Sequence, residues 1–124
     1  VLDASAVLAW LQQEPGSDRV ASALDHGIVT AANWSEVLQK ARRYGGDPYE
    51  VGLLLRSLGI KVIDVTQEDG ENAALIWTRE AALSLGDRLC LAAAARLGLP
   101  AMTADAEWER VNIENVEIEV IRGR

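Results

Sequence analysis

Val1-Leu2-Asp3-Ala4-Ser5-Ala6-Val7-Leu8-Ala9-Trp10-Leu11 opens the chain and contains the unit from which the fold is built. Val1 and Leu2 read as the end of a buried strand, whereas Ala6, Val7, Trp10 and Leu11 recur at the spacing of one helix face. Asp3 therefore stands at the turn between a strand and a helix. An acid at the end of a buried strand, with apolar neighbours and Ser5 two residues on, occupies an expensive position unless something is bound there. The first strand is expected to extend upstream of Val1.

The same change of pattern recurs along the chain. Pro15 and Gly16 close the first helix, and a second is expected over residues 17–24. A short strand at residues 28–31 leads into a helix opened by Asn33 and ended by Gly45 and Gly46. Asp47 followed by Pro48 is a helix start, an N-cap with proline at the first helical position, and Gly59 suits that helix's C-terminus. Residues 61–65 alternate like a strand. Thr66 with Asp69 resembles a capping box before a long helix carrying Ala73, Ile76, Trp77 and Ala81 on one face and ending near Leu85 and Gly86.

Residues 87–97 are apolar on nearly every side, the pattern of a helix sandwiched in a core, and Ala92 to Ala95 let another element approach closely. Gly98 and Pro100 stop it. A strand at residues 101–103 and an edge strand at residues 116–121 complete the series. Alternating strands and helices indicate an α/β domain with a mainly parallel sheet covered by helices on both faces. In open sheets of this kind ligands bind beyond the carboxyl ends of the strands, where Asp3, Asp105 and Glu36 are expected.

The 124 residues fit a single domain, residues 1–124, with 49% apolar and 25% charged side chains, the mix of a soluble globular protein. The longest apolar run, residues 89–95, is far too short to span a membrane, and Asp3 interrupts any secretory signal. With Cys90 as the single cysteine no internal disulfide can form, so a cytoplasmic setting is expected. The net charge of −7 argues against nucleic-acid binding by a broad basic face and suits a basic protein partner. Lys40, Arg42 and Arg43 form the only tight basic group.

Asp3, Glu36, Asp87 and Asp105 are the candidate site. Taken singly each has an ordinary explanation as a helix-start acid: Glu36 in a capping box with Asn33, Asp87 paired with Ser84, Asp105 capping the segment that holds Trp108. Taken together they need a cation. Two carboxylates about 4 Å apart repel by roughly 4 kcal/mol at an effective dielectric near 20, and a divalent ion reverses that sign. Mg²⁺ and Mn²⁺ take oxygen ligands of this kind, and two such ions activate water and stabilise the leaving oxygen of a phosphodiester.

Four segments carry a resemblance: Val1-Leu2-Asp3-Ala4-Ser5, Asn33-Trp34-Ser35-Glu36-Val37, Leu85-Gly86-Asp87-Arg88-Leu89-Cys90-Leu91-Ala92-Ala93 and Met102-Thr103-Ala104-Asp105-Ala106-Glu107-Trp108. In order and approximate spacing they look like the motifs of PIN domains, in particular the VapC-type ribonuclease toxins. The resemblance implies a PIN-like three-layer α/β/α sandwich with a central mainly parallel sheet and a metal-dependent endoribonuclease site. Asp3, Glu36, Asp87 and Asp105 would bind Mg²⁺ or Mn²⁺, with Ser5 and Thr103 hydrogen-bonding the carboxylates or an ordered water. It further implies an RNA substrate, a homodimer, and a cognate antitoxin whose basic segment reaches the acidic pocket.

Other residues read less sharply. Arg88 is a candidate for an RNA phosphate contact or a carboxylate tether, with a solvated helix start as its plain alternative. His26, in a polar turn, and Cys90, in the apolar helix, are assigned no chemistry, and the four tryptophans read chiefly as packing. Two other functions compete. One is phosphoryl transfer through an aspartyl phosphate on Asp3, against which stands the lack of a second aspartate at Ser5; the other is a non-catalytic module whose acids dock a basic peptide.

Overall fold

The computed structural model describes residues 1–122. Its elements are α1 (Ala4–Leu11), α2 (Ser17–Ala21), β1 (Ile28–Thr30), α3 (Ala31–Arg43), α4 (Pro48–Ser57), β2 (Lys61–Ile63), α5 (Gln67–Ile76), α6 (Leu85–Leu97), β3 (Ala101–Thr103) and β4 (Ile118–Val120), with 3₁₀ turns at Leu24–His26 and Ala106–Arg110.

Two parallel strand pairs, β1 with β2 and β3 with β4, are joined through the first three residues. The Leu2 amide donates to the Ile28 carbonyl (2.8 Å), the Met102 amide to Val1 (2.7 Å) and the Asp3 amide to Met102 (3.0 Å). Leu2 and Met102 form a parallel bridge. The N-terminal segment thus lies at the middle of the sheet, so whatever follows it is held from both sides.

Successive strand residues feed opposite cores. Leu2, Met102 and Ile121 pack with Ala6, Val7, Val29 and Val37, while Val1, Ala101 and Val120 pack with Cys90, Leu91 and Trp108. That period of two is the signature of a sheet buried on both faces, which makes the molecule an α/β/α sandwich. Helix α6 is the inner helix of the second core; Leu89 to Ala94 are all buried, as its unbroken apolar sequence requires. Just past the carboxyl end of β4, Gly16, with φ +92°, lies so close to Ile121 that a Cβ would sit 2.5 Å from the Ile121 carbonyl oxygen.

Several expected boundaries move. The second helix stops at Ala21 and gives way to the Leu24–His26 turn. The long helix through Ala81 does not form: α5 ends at Ile76, Trp77 is 54% exposed, and residues 77–84 are irregular. The reason lies in Ser84, whose hydroxyl accepts from the Asp87 amide and starts α6 at Leu85, so Gly86 lies inside the next helix rather than at the end of the last. Helix α3 is opened by Thr30 rather than Asn33, because the strand-ending threonine turns its hydroxyl onto the Asn33 amide (3.1 Å). The strands at residues 61–65 and 116–121 shorten to three residues each.

Candidate active site

Asp3 is the pivot. It is only 3% exposed, caps α1, and accepts three hydrogen bonds: the Ser5 hydroxyl (2.8 Å) and Ala6 amide (2.9 Å) to Oδ1, and the Thr103 hydroxyl (2.6 Å) to Oδ2. Ser5 in turn accepts from the Ala104 amide (2.9 Å), and Thr103 from the Asp105 amide (3.0 Å). Two hydroxyls therefore tie the end of the first strand to the end of β3 and fix where Asp105 begins. All three donors are neutral, and a carboxylate with three neutral donors retains both its charge and spare acceptor capacity.

The electrostatics record the missing counter-charge. Burial pushes the Asp3 carboxyl from 3.8 up to about 6 against the pull of its hydrogen bonds to Thr103, Ala6 and Ser5, and the Asp87 charge adds to the rise. Asp87 is raised as well, first by burial and then by Asp105, although its bonds to Ser84 and the nearby Arg88 oppose this. Directly beneath, burial pushes the Cys90 thiol up, and the charges of Asp3, Asp87 and Glu36 push the same way. Asp3, Asp87, Asp105 and Glu36 thus act on one another or on one common neighbour; distant segments of chain deliver them to a single edge of the sheet.

Glu36 reaches that edge through Asn33, with which the sequence paired it as a capping box, and through a link to α6 that the sequence did not reveal. Asn33, 1% exposed, donates from Nδ2 to Glu36 Oε1 (2.7 Å) and to the Gly86 carbonyl (3.4 Å), so one amide links α3 to the first turn of α6. Its Oδ1 is buried without a partner. Rotating the amide would place that oxygen against the Glu36 carboxylate, so Glu36 fixes the orientation. Gly86 provides the room, since a Cβ there would come within 2.7 Å of Glu36 Oε1. The only sequence signal was the spacing of Asn33 and Glu36, three apart on one helix face.

The donor set suits a hard divalent ion in kind: four carboxylates, with hydroxyls behind one of them and no protein cation bonded to any of the four oxygen pairs among the described residues. In arrangement they are not yet a cage. Among the described residues no three acidic, histidine or cysteine side chains stand together as a ready-made metal site. Each acid is instead turned onto a nearby donor: Asp87 Oδ2 accepts the Ser84 amide (3.0 Å), Asp105 Oδ1 the Glu107 amide (2.9 Å), and Glu36 the Asn33 amide group. The capping roles considered for Asp87 and Asp105 are therefore real alongside any other. The capping box of Asn33 and Glu36 is replaced by the side-chain bond between them.

Arg88 is tied to α5 by one of its guanidinium nitrogens, while its Nε is buried without a partner. Its guanidinium donates 3.0 Å to the Ala73 carbonyl, a last-turn carbonyl that the Trp77 amide leaves free by bonding Ala74. His26 bonds its neighbour Asp25 at the surface, and Cys90 is core. Trp34 and Trp108 are buried and Trp77 is exposed. A cavity of about 420 Å³ lies at the opposite, amino-terminal end of the strands, lined by Val1, Leu2, Gly27, Ile28, Leu99 and Pro100, and contains none of the four acids. No helix among the described residues is long and apolar enough to cross a membrane.

Three solved structures share this fold over nearly their whole length. A chain of a toxin–antitoxin complex from Klebsiella pneumoniae superposes with a TM-score of 0.78 at 18% identity, covering 99% of this chain and 98% of that one. The DNA-bound VapBC from Salmonella typhimurium gives 0.71 at 15% identity, with 98% and 96% covered. VapBC2 from Rickettsia felis, bound to a DNA fragment from its promoter, gives 0.70 at 12%, with 96% of each covered. No curated protein matches in sequence. The PIN domain model, however, matches residues 1–114, nearly the whole chain and all four acids, and the chain belongs to the PIN domain family.

Proposed function

We propose that this PIN domain is a Mg²⁺- or Mn²⁺-dependent endoribonuclease, the toxin of a type II toxin–antitoxin pair. PIN domains are generally divalent-metal-dependent nucleases, and the fold relatives occur in toxin–antitoxin complexes. The observation that carries the reading is the buried Asp3, which accepts from three neutral donors and from no protein cation among the described residues, and which feels the charge of Asp87. Asp3, Glu36, Asp87 and Asp105 would hold the metal. When bound, it supplies an activated water and charge stabilisation for the leaving oxygen of a phosphodiester.

The chain's own residues supply position. Ser5 and Thr103 lock Asp3, Thr103 also sets the start of the Asp105 turn, and Asn33 holds Glu36 toward α6. Asp87 stands on the first turn of α6, and its charge acts on Asp3. Covalent chemistry on Asp3 is disfavoured, because Ser5 stands where a second aspartate would serve as general acid, and its hydroxyl is committed to Asp3 Oδ1. An acidic protein with an acidic edge fits an antitoxin that presents a basic segment, and the toxin would act as a homodimer in the cytoplasm.

The test is cleavage of single-stranded and structured RNAs by the purified chain with Mg²⁺ or Mn²⁺. Activity is expected to disappear in excess chelator and in Asp3→Asn and Asp105→Asn; persistence in either condition refutes the assignment.

A further inference from the structure

Helix α3 carries Glu36 and also the chain's only tight basic group, and the two lie on one stripe. Glu36, Lys40 and Arg43 are spaced i, i+4, i+7, which places them along a single helix face. The rise of about 1.5 Å per residue puts Lys40 about 6 Å and Arg43 about 10 Å beyond Glu36 along the axis. Glu36 marks the end of the stripe that meets α6, since it abuts Gly86. Among the described residues none of Lys40, Arg42 or Arg43 takes part in an ion pair, although acidic residues outnumber basic ones 19 to 12.

A second feature runs beside the first. One residue back at each step, Ser35, Gln39 and Arg42 line an open cleft of about 490 Å³ whose apolar lining comes from Trp34, Leu38 and Pro48. Arg56 covers the Trp34 ring at 5.4 Å from its centroid. A row of free cations leading from an acidic site, next to an apolar cleft, matches single-stranded nucleic acid: phosphates along the row, an unstacked base beside it. Interaction with the helix dipole accounts for basic residues in a last turn, but not for their alignment with Glu36 or for the adjoining cleft.

We propose that α3 is the substrate track of this chain, with Lys40 and Arg43 holding backbone phosphates of single-stranded RNA on one side of the bond cleaved at the acidic edge and Arg42 holding one at the cleft. The proposal rests on the ribonuclease reading above and adds the direction in which the RNA leaves the site.

The experiment measures binding of a fluorescent single-stranded RNA to Asp105→Asn, which should bind without cutting, over a series of salt concentrations. Adding Lys40→Gln and Arg43→Gln should weaken binding about tenfold at low salt and reduce the slope of log K against log salt by about 1.4, the value for two phosphate contacts on a single strand. In the otherwise unaltered chain the same pair should raise KM and leave kcat within about twofold. Arg19→Gln with Lys61→Gln removes the same charge at the amino-terminal edge of the sheet and should change the slope far less. An unchanged slope, an equal loss in that control pair, or a variant that loses only antitoxin binding overturns the track while leaving the ribonuclease reading intact. A parent chain that neither cuts nor binds RNA overturns both.

Discussion

Asp3 and Asp69 are both buried aspartates, 3% and 1% exposed, and both cap a helix or its first turn. Their surroundings differ in one respect. Asp69 receives a two-pronged contact from Arg96, with Nε to Oδ1 at 2.8 Å and Nη2 to Oδ2 at 3.0 Å, and this guanidinium holds its carboxyl below the usual range despite burial. Asp3 has three neutral donors and acidic neighbours, and its carboxyl rises to about 6. A structural acid comes with its counter-charge built into the protein, whereas Asp3 has no charged donor among the described residues. That contrast sets Asp3 apart from a structural acid more sharply than burial alone.

The comparison breaks most visibly in activity. Asp3→Asn should lower RNA cleavage by about a thousandfold, the scale of losing a preorganised electrostatic group. It should also raise the stability of the metal-free protein at pH 7, by up to about 3 kcal/mol for a carboxyl displaced from 3.8 to about 6. Urea unfolding with and without chelator checks both signs, and a destabilised Asp3→Asn would remove the distinction drawn between the two acids. Arg96→Met does the opposite at the other site. It strands a buried charge on Asp69 and should cost about 3 kcal/mol, the lower end for a broken buried pair because the Arg96 side chain is 27% exposed.

The two acids also respond to pH with opposite signs. Folded Asp3 binds its proton more tightly than the unfolded chain does, so its contribution lowers metal-free stability as pH rises from about 4 to about 6. Asp69, with its carboxyl depressed, contributes stability above its ordinary range that is lost as pH falls through and below that range. Chemical denaturation across this window with Arg96→Met as reference separates the two. Because the proton competes with the metal at Asp3, Mn²⁺ affinity should climb as pH approaches about 6 and level off above it, a titration that calorimetry reads directly.

The smallest effect sharpens the picture at Glu36. Gly86→Ala should leave thermal stability within about 1 kcal/mol, since alanine favours the helix and the atom it meets is the far end of a flexible side chain. It should nevertheless weaken Mn²⁺ binding several-fold by displacing Glu36. Unchanged binding would mean that Glu36 stands outside the metal site.

Much of the fold was legible because it rests on short-range rules. Asp47 with Pro48, the Thr66 and Asp69 capping box, and the all-apolar face pattern of residues 87–97 each correspond to an observed helix. The helix drawn through Trp77 and Ala81 failed because apolar spacing continued past a break that Ser84 imposes from the far side. At the site, Asp3, Asp87 and Asp105 were visible as acids at helix starts, whereas Glu36, expected there too, lies a turn further inside α3 because Thr30 opens that helix. The link through Asn33 was not visible, because a buried amide joining α3 to α6 is recognised only by where Gly86 lies, 53 residues away.

The sequence by itself determined the alternation of strands and helices and the position of Asp3, Asp87 and Asp105 at the head of a helix or 3₁₀ turn, because periodicity and capping are local and written in adjacent residues. Only the tertiary structure decided that Asp3 is met by three neutral donors while Asp69 is met by Arg96, and that Glu36 is held against the first turn of α6. Those facts depend on side chains brought together across the sheet and between helices, where burial and neighbouring charge, rather than residue type, set the chemistry of a carboxylate.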